Sequence, residues 1–240
     1  MTENDGVIQY HLNHRDGELP AGADYPGLFD WFRRCREREL IGRDPERYQG
    51  YAFGNISVRA APGFVISGTQ TGGKATLGTS DLAWVIEFDT VANRLRSIGP
   101  CRPSSEAMTH GEVYRRLPGV NAVIHAHSPT VWQAAGLLGL PTTSPGAGYG
   151  TPQMAHEVAA LLAAQPESGV LVMGGHEDGI IAYGGDMQVA GRQLLQTLAE
   201  AELLPFRLHT QKDLVTHLSE LAARPAWRRT SPHGGGSSPW

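Results

Sequence analysis

Two histidines separated by a single residue, His125 and His127, are the feature of this sequence that points most directly to chemistry. The short apolar run around them predicts a β-strand over 121–127. Side chains at positions i and i+2 of a strand lie on the same face, so the two imidazoles are expected side by side. Two adjacent imidazoles make half of a metal site. Half-buried strand histidines that hydrogen-bond to their neighbours are the alternative interpretation.

A third histidine, His176, follows two glycines after a predicted buried strand over 169–173. A histidine on a glycine-flanked turn can project into a cleft, although taken alone it is an ordinary loop residue. Three neutral imidazoles with one open coordination position describe a catalytic zinc site, in which water or a substrate oxygen fills the open position. His110 and His156 are rival ligands, but they lie on predicted helices without a matching partner spacing. Surface or capping roles are expected for both.

A possible anion site precedes the predicted helix over 106–117. Ser104 and Ser105 come directly before Glu106, which opens this helix. The free N–H groups and positive dipole end of a helix N-terminus, with two hydroxyls, can hold an anion. A capped helix explains the same residues equally well. The glycine- and hydroxyl-rich turns 54–57 and 67–74 can also present N–H groups to an anion, but they match no P-loop, and turning the chain is their commoner role.

The elements expected to position these residues are a mixture of helices and strands. Hydrophobic periodicity and turn residues predict helices over 25–41, 106–117, 151–165, 186–203 and 211–223, and strands over 56–59, 64–67, 82–88, 121–127 and 169–173. The polar start of the chain and its end, rich in Ser, Gly and Pro, predict mobile tails over 1–21 and 229–240. One domain over 22–228, of α/β or α+β layers, is expected between them.

The composition narrows the class of protein. The chain has 240 residues, with 20 Lys and Arg against 24 Asp and Glu and a formal net charge of -4. Because no run of five or more Lys or Arg residues occurs and the net charge is mildly acidic, we expect no binding to nucleic acid or to an anionic membrane surface. No apolar stretch reaches the about 20 residues of a membrane span, and the polar N-terminus is unlike a signal peptide. Two cysteines, Cys35 and Cys101, make no disulfide framework, so a cytoplasmic protein is expected.

Five segments in this order resemble the class II aldolase/adducin family. They are Gly-Asn-Ile-Ser-Val-Arg at 54–59, Ser-Gly-Thr at 67–69, Pro-Ser-Ser-Glu at 103–106, His-Ala-His at 125–127, and His176 with Asp-Gly-Ile at 178–180. The resemblance covers most of the chain, from about residue 41 to residue 203. It implies a single α/β/α three-layer domain around a mostly antiparallel central sheet. It also implies a homotetramer with active sites at the subunit interfaces.

The resemblance also implies roles for individual residues. His125, His127 and His176 would hold a divalent metal, usually Zn²⁺, with Fe²⁺, Mn²⁺ or Co²⁺ as alternatives. Glu106 matches the acid/base residue of the family. Asn55, Thr69, Ser104 and Ser105 fall where members that act on sugar phosphates bind the phosphate. Tyr149, or a tyrosine of a neighbouring subunit, is the candidate for a second acid; a plain turn residue is the alternative.

The function implied is a metal-dependent lyase of the class II aldolase type. It would carry out retro-aldol cleavage or decarboxylation of a small hydroxyketo, sugar-phosphate-like substrate through a metal-stabilised enediolate. The long turn at 67–73 leaves a carboxylate or phosphonate substrate open, and Glu177 and Asp178 place two carboxyl groups beside the third histidine. The alternatives are an epimerase or dehydratase acting on a pentulose phosphate, an Fe(II)-dependent oxygenase of the same fold, and a non-catalytic adducin-like interaction module.

Overall fold

A computed structural model describes residues 8–223 of the chain. The chain divides into two compact units, Met1–Glu202 and Leu203–Trp240. The first unit contains the sheet and every predicted site residue. The described part of the second unit is helical. Within 8–223, no helix combines the length and the apolar character needed to cross a bilayer.

The structure contains ten strands and five α-helices within the described residues. The strands are β1 (His11–Arg15), β2 (Gly42–Arg43), β3 (Ala52–Phe53), β4 (Asn55–Arg59), β5 (Phe64–Ser67), β6 (Leu82–Asp89), β7 (Arg94–Ile98), β8 (Ala122–His127), β9 (Gly169–Val172) and β10 (Gly179–Gly184). The helices are α1 (Tyr25–Arg36), α2 (Ala107–Arg116), α3 (Pro129–Leu138), α4 (Pro152–Leu162) and α5 (Met187–Ala223). Short 3-10 turns cover Tyr48–Gly50, Thr71–Gly73 and Thr79–Asp81.

Eight of the strands form one central sheet, in the order β1-β7-β6-β5-β4-β8-β10-β9. Only the β1–β7 pair is parallel, and the other neighbours in this sheet are antiparallel. Strands β2 and β3 form a separate antiparallel pair. The sheet is therefore mostly antiparallel, as the resemblance implied.

Helices flank the central sheet. Helices α2 and α4 contact each other, and their apolar residues share one buried cluster with residues of the sheet. Val123 belongs to that cluster, whereas the next residue on β8, Ile124, is buried outside it. Helix α1 contacts β4, and its Trp31 lies against Gly191 at the start of α5. Because residues of alternate direction on β8 are both buried, both faces of the sheet are covered, which confirms the predicted layered α/β fold.

The N-terminal segment differs from the predicted mobile tail. Residues His11–Arg15 pair with Arg94–Ile98 as an edge strand, and Tyr10 is buried. This strand alternates exposed and half-buried side chains, and Leu12 is its one apolar residue, so the sequence gives no hydrophobic signal for a strand. Its backbone hydrogen bonds to β7 hold it in the sheet. Residues 1–7 and the predicted C-terminal tail, 229–240, lie outside the described residues.

Other elements also differ from the prediction. Strands β7 and β10 and helix α3 were not predicted, and α1 ends at Arg36 rather than at residue 41. Helix α3 does carry local signals, since Ser128 caps it through the N–H of Val131 and Gly139 ends it in the left-handed conformation. Where two helices were predicted, α5 runs as one helix with Pro205 inside it. A proline has no backbone N–H, so α5 lacks one helical hydrogen bond at Pro205.

Candidate metal centre

The three predicted ligands converge on one point. Strand β8 places His125 and His127 on one face, and His176 lies on the turn between β9 and β10. One ligand atom from each of the three histidines lies within 4.8 Å of the others. The ring centroids are 5.0 Å apart for His125 and His127, 5.2 Å for His125 and His176, and 4.7 Å for His127 and His176. All three side chains are buried.

The protonation of the two strand histidines suits metal binding. Burial lowers the pKa of both His125 and His127 well below the usual value of 6.5, and the neighbouring His176 lowers it further. Both are therefore neutral at pH 7, as a metal ligand must be. Nδ1 of His125 lies 3.1 Å from the carbonyl oxygen of Ile180, which can only accept a hydrogen bond. Nδ1 is thus the protonated nitrogen, and Nε2 keeps its lone pair.

His127 provides the test of whether these residues fit a metal ion. Both ring nitrogens of His127 are buried, and neither has a hydrogen-bond partner among the described residues. A buried polar atom without a partner is costly, and binding an ion removes that cost. Three neutral imidazoles are the donor set of a catalytic zinc-type site. The arrangement therefore fits a divalent metal.

The predicted anion-binding residues line a single polar cleft next to His125. Asn55, Thr69, Ser104, Ser105 and Glu106 all contribute to its wall. Backbone hydrogen bonds join the separate segments that supply these residues. The N–H of Ser104 donates to the carbonyl of Ser67 at 3.2 Å, and the N–H of Thr69 donates to the carbonyl of Arg102 at 3.0 Å. The fold thus brings together residues that are far apart in the sequence.

Glu106 lies at the start of α2, as its N-cap residue, and is 2% exposed. Its Oε2 accepts a hydrogen bond from the hydroxyl of Thr109 at 2.9 Å, which fixes the orientation of the carboxyl group. Its backbone N–H donates to Oγ of Ser104 at 3.3 Å. The carboxyl group therefore lies in a fixed position in the cleft that His125 also lines.

Tyr149 lies on the other loop that reaches the histidines. Its ring is buried, and its centroid is 5.0 Å from that of His176. The two glycines before His176 allow this loop to come close, because a Cβ at Gly175 would lie 2.1 Å from the carbonyl oxygen of Ala147. The tyrosine thus contacts the metal centre through His176.

His110 does not have the predicted surface or capping role, whereas His156 is exposed as expected. His110 is fully buried, and its Nδ1 lies 2.7 Å from Oγ of Ser57 on β4. Burial lowers its pKa to about 3, so it stays neutral. His110 lies on the buried face of α2, and the hydroxyl of Ser57 provides the hydrogen-bond partner that makes this burial tolerable.

Sequence reasoning missed a group of side chains beside His127. The Tyr48 ring lies 4.5 Å from the His127 ring, and its hydroxyl donates to Oδ2 of Asp178 at 2.7 Å. Nη2 of Arg47 donates to the same oxygen at 3.1 Å. Tyr10 was also missed; its buried hydroxyl donates to the carbonyl of Ser104 at 2.8 Å. The sequence contained one indication of this group, which was the position of Asp178 two residues after His176.

The family can be decided from the sequence together with this geometry. A model of the family described as the Class II Aldolase and Adducin N-terminal domain matches residues 45–203, which include all the predicted site residues. The chain belongs to this class II aldolase and adducin family. Divalent-metal dependence is general among class II aldolases, and the three-histidine group is consistent with it.

Two bacterial relatives carry the same name. Methylthioribulose-1-phosphate dehydratase of Stenotrophomonas maltophilia is 32% identical over an alignment that covers 52% of this chain and 68% of the relative. The protein of that name from Xanthomonas euvesicatoria is 29% identical, and the alignment covers 55% of this chain and 65% of the relative. The chain thus spans about two thirds of the length of these relatives.

Solved structures of class II aldolases share the fold. L-fuculose-1-phosphate aldolase from Thermus thermophilus is 24% identical with a TM-score of 0.57, over 84% of this chain and 97% of the other. A sugar-phosphate aldolase from Thermotoga maritima is 14% identical with a TM-score of 0.57, over 75% of this chain and 96% of the other. At these identities the likeness establishes the class II aldolase fold.

Proposed function

We propose that this chain is a divalent-metal-dependent lyase that removes water from a pentulose phosphate. The observation that carries the proposal is the convergence of three buried histidines beside Glu106 and a polar cleft. Loss of water, rather than carbon–carbon cleavage, is supported by the two curated relatives named as dehydratases. Zinc as the ion, a homotetramer with interfacial sites and a cytoplasmic location are proposed with it on the family resemblance.

His125, His127 and His176 would hold the ion. When bound, a divalent ion supplies Lewis acidity, which polarises a substrate carbonyl and makes the proton on the adjacent carbon more acidic. The Ile180 carbonyl would keep the His125 ring in its orientation through Nδ1. The buried surroundings of the three rings would limit access of water to the reacting carbon.

Glu106 would transfer the protons of the reaction. Its carboxylate would take the proton from the carbon next to the carbonyl, and the bond from the following carbon to its hydroxyl would break. The hydroxyl would leave as water after it receives a proton, and the resulting enol would convert to a ketone. The hydrogen bond from Thr109 to Oε2 would hold the carboxyl group in place during both transfers.

The polar cleft would bind the anionic end of the substrate. Asn55, Thr69, Ser104 and Ser105 line it, and they offer neutral hydrogen-bond donors. Such donors can bind a phosphate, a carboxylate or a phosphonate. The phosphate is proposed because the curated relatives are named for a sugar phosphate.

Carbon–carbon cleavage, the reaction favoured by the motifs, is the second candidate. It would use the same metal ligands, with Glu106 protonating the carbon left after cleavage. Tyr149, whose ring contacts His176, is the proposed acid/base for the hydroxyl that becomes an aldehyde. The buried position of Tyr149 beside a metal ligand is the observation that favours this second reaction.

The test compares two substrates on the full chain loaded with Zn²⁺, Mn²⁺, Co²⁺ or Fe²⁺. Methylthioribulose 1-phosphate and L-fuculose 1-phosphate are followed by NMR, and oxygen consumption is recorded. We expect metal-dependent water loss from methylthioribulose 1-phosphate and slower or no cleavage of L-fuculose 1-phosphate.

Faster cleavage of L-fuculose 1-phosphate than water loss from methylthioribulose 1-phosphate would favour carbon–carbon cleavage as the reaction. Inversion at a carbon would indicate an epimerase, and oxygen consumption with Fe²⁺ an oxygenase. A folded chain that binds no metal would indicate an interaction module and contradict both candidates.

A further inference from the structure

His125 and His127 are held in their orientations by different means. The Ile180 carbonyl accepts a hydrogen bond from Nδ1 of His125 at 3.1 Å and so fixes that ring. Neither ring nitrogen of His127 has such a partner within the described part of the chain. Metal-binding histidines are usually oriented through a hydrogen bond of the second ring nitrogen. For His127, the orientation must therefore come from contacts with the ring itself.

Two aromatic side chains supply those contacts. The Tyr48 ring meets the His127 ring at a centroid distance of 4.5 Å and an angle of 71°, and the Phe53 ring lies at 5.2 Å and 46°. The Tyr48 contact is edge-to-face, which is favourable and directional, whereas the Phe53 ring is tilted. Phe53 is buried on β3, whereas Tyr48 is only half-buried, on a short 3-10 turn. The Tyr48 ring also contacts Phe53, at a centroid distance of 5.0 Å, and a second anchor holds its hydroxyl.

That anchor is the carboxylate of Asp178. Tyr48 has a φ of 48° and the following Gln49 a φ of 57°, which is the left-handed region that such side chains rarely adopt. The Tyr48 hydroxyl and Nη2 of Arg47 both donate to Oδ2 of Asp178, at 2.7 and 3.1 Å. The Arg47 guanidinium also lies 4.8 Å from the centre of the Tyr48 ring. Without the carboxylate, this strained turn loses both of its side-chain hydrogen bonds to Asp178 and keeps the ring contact with Phe53.

Asp178 is also tied to the metal ligands through the backbone. It follows His176 by two residues, and its carbonyl accepts a hydrogen bond from the N–H of Ser128, next to His127, at 2.8 Å. Its own φ is 61°, which places its side chain back toward the Tyr48 turn. Asp178 thus connects the two segments that carry the three histidines with the ring that contacts His127.

We propose that Asp178 is a positioning residue of the metal centre, acting through Tyr48. The carboxylate holds the Tyr48 ring edge-on to His127, and this ring contact does for His127 what the Ile180 carbonyl does for His125. The proposal rests on the proposed function only in requiring that the three histidines bind a divalent ion. Glu177, the other carboxyl group beside His176, is exposed and has no such role.

The experiment measures Co²⁺ binding by the full-length chain. Asp178→Gly removes the carboxylate without straining the backbone, because glycine readily adopts a φ of 61°. Tyr48→Leu removes the ring and leaves Asp178 in place. Glu177→Gln is the matched control. We expect about 10- to 100-fold weaker Co²⁺ binding for Asp178→Gly and for Tyr48→Leu, measured by competition with a chelator. The control should stay within about twofold of the wild type.

The visible absorption of bound Co²⁺ gives a readout that a general loss of stability would not move. We expect its band positions to shift in the same direction for Asp178→Gly and Tyr48→Leu and to stay unchanged for Glu177→Gln. Circular dichroism of the metal-free proteins establishes that each variant folds. Should Asp178→Gly not fold, Asp178→Asn takes its place, because asparagine tolerates the left-handed conformation and removes the charge that pairs with Arg47.

The outcomes separate this inference from the proposed function. Wild-type affinity and an unchanged spectrum in both variants would overturn the inference while leaving the metal site intact. Weaker binding in Asp178→Gly with wild-type binding in Tyr48→Leu would also overturn it, because Asp178 would then act without Tyr48. A wild-type chain that binds no Co²⁺ would overturn both. A wild-type chain that binds metal but has no lyase activity would overturn the proposed function alone.

Discussion

Replacing Glu106 by glutamine should greatly reduce turnover and leave the metal centre intact. The carboxyl group is 2% exposed, and its Oε2 accepts the Thr109 hydroxyl at 2.9 Å. Glutamine has the same shape, and its carbonyl oxygen can still accept that hydrogen bond. The substitution therefore removes the ability to accept a proton and changes little else.

The expected loss follows from the role of a general base. A positioned acid/base group contributes about 10²- to 10⁴-fold to the rate, which corresponds to about 2.7 to 5.4 kcal/mol of transition-state stabilisation. We expect a fall of this size in kcat for Glu106→Gln, with metal content equal to that of the wild type. The assay is steady-state turnover of the lyase substrate, combined with elemental analysis of the purified protein.

A second buried glutamate on the same helix provides the matched control. Glu112 is also fully buried, and its Oε1 accepts the hydroxyl of Thr90 at 2.8 Å, but it lies outside the polar cleft. Glu112→Gln should lower stability through its lost ion pair with Arg115 and leave kcat unchanged. Full activity of Glu106→Gln, or equal losses in both variants, would refute the assigned role of Glu106.

Two further predictions concern stability. Because burial lowers the pKa of His110 to about 3 from 6.5, the unfolded state binds its proton first as the pH falls. The free energy of unfolding of the metal-free protein should therefore decrease from pH 6.5 toward pH 3, with about 1.4 kcal/mol per pH unit from His110. Urea unfolding measured across this pH range checks this. The same pH dependence in the wild type and in His110→Gln would contradict it. Tyr10→Phe removes the 2.8 Å hydrogen bond to the carbonyl of Ser104, which still accepts the N–H of Ala107 at 3.1 Å, and should cost about 0.5–1.5 kcal/mol. Thermal unfolding measures this cost. Tyr25→Phe is the control, because it removes a part-buried hydroxyl that donates to the carbonyl of Pro20, and it should cost less. Equal costs for the two variants would argue against a buried N-terminal segment.

The sequence was sufficient to predict the features that local backbone geometry determines. The common face of His125 and His127 follows from strand alternation, and the placement of Ser104 and Ser105 before α2 follows from helix capping preferences. The mostly antiparallel α/β fold could be predicted because the family motifs occur in order. These features depend on neighbours in the chain or on the resemblance.

Long-range pairing explains what could not be predicted. Strand β10, which pairs with both β8 and β9 and positions the turn of His176, has no alternating pattern because all six of its residues are buried. Strand β1 has a single apolar residue, Leu12, and its pairing with β7 brings Tyr10 into the core. Tyr48 and Asp178 are 130 residues apart, and the positive φ of Tyr48 has no sequence signal. Such contacts arise from the fold, so local patterns do not reveal them.

The most direct test of this account is a crystal structure of the full chain soaked with Co²⁺ or Zn²⁺, with anomalous scattering recorded at the metal edge. We predict a single strong peak per chain, at about 2.0–2.1 Å from one ring nitrogen of each of His125, His127 and His176. The same data from His127→Ala should show the peak lost or strongly reduced. A peak elsewhere, or ordered histidine rings with no peak between them, would contradict the claim that the three imidazoles share one ion.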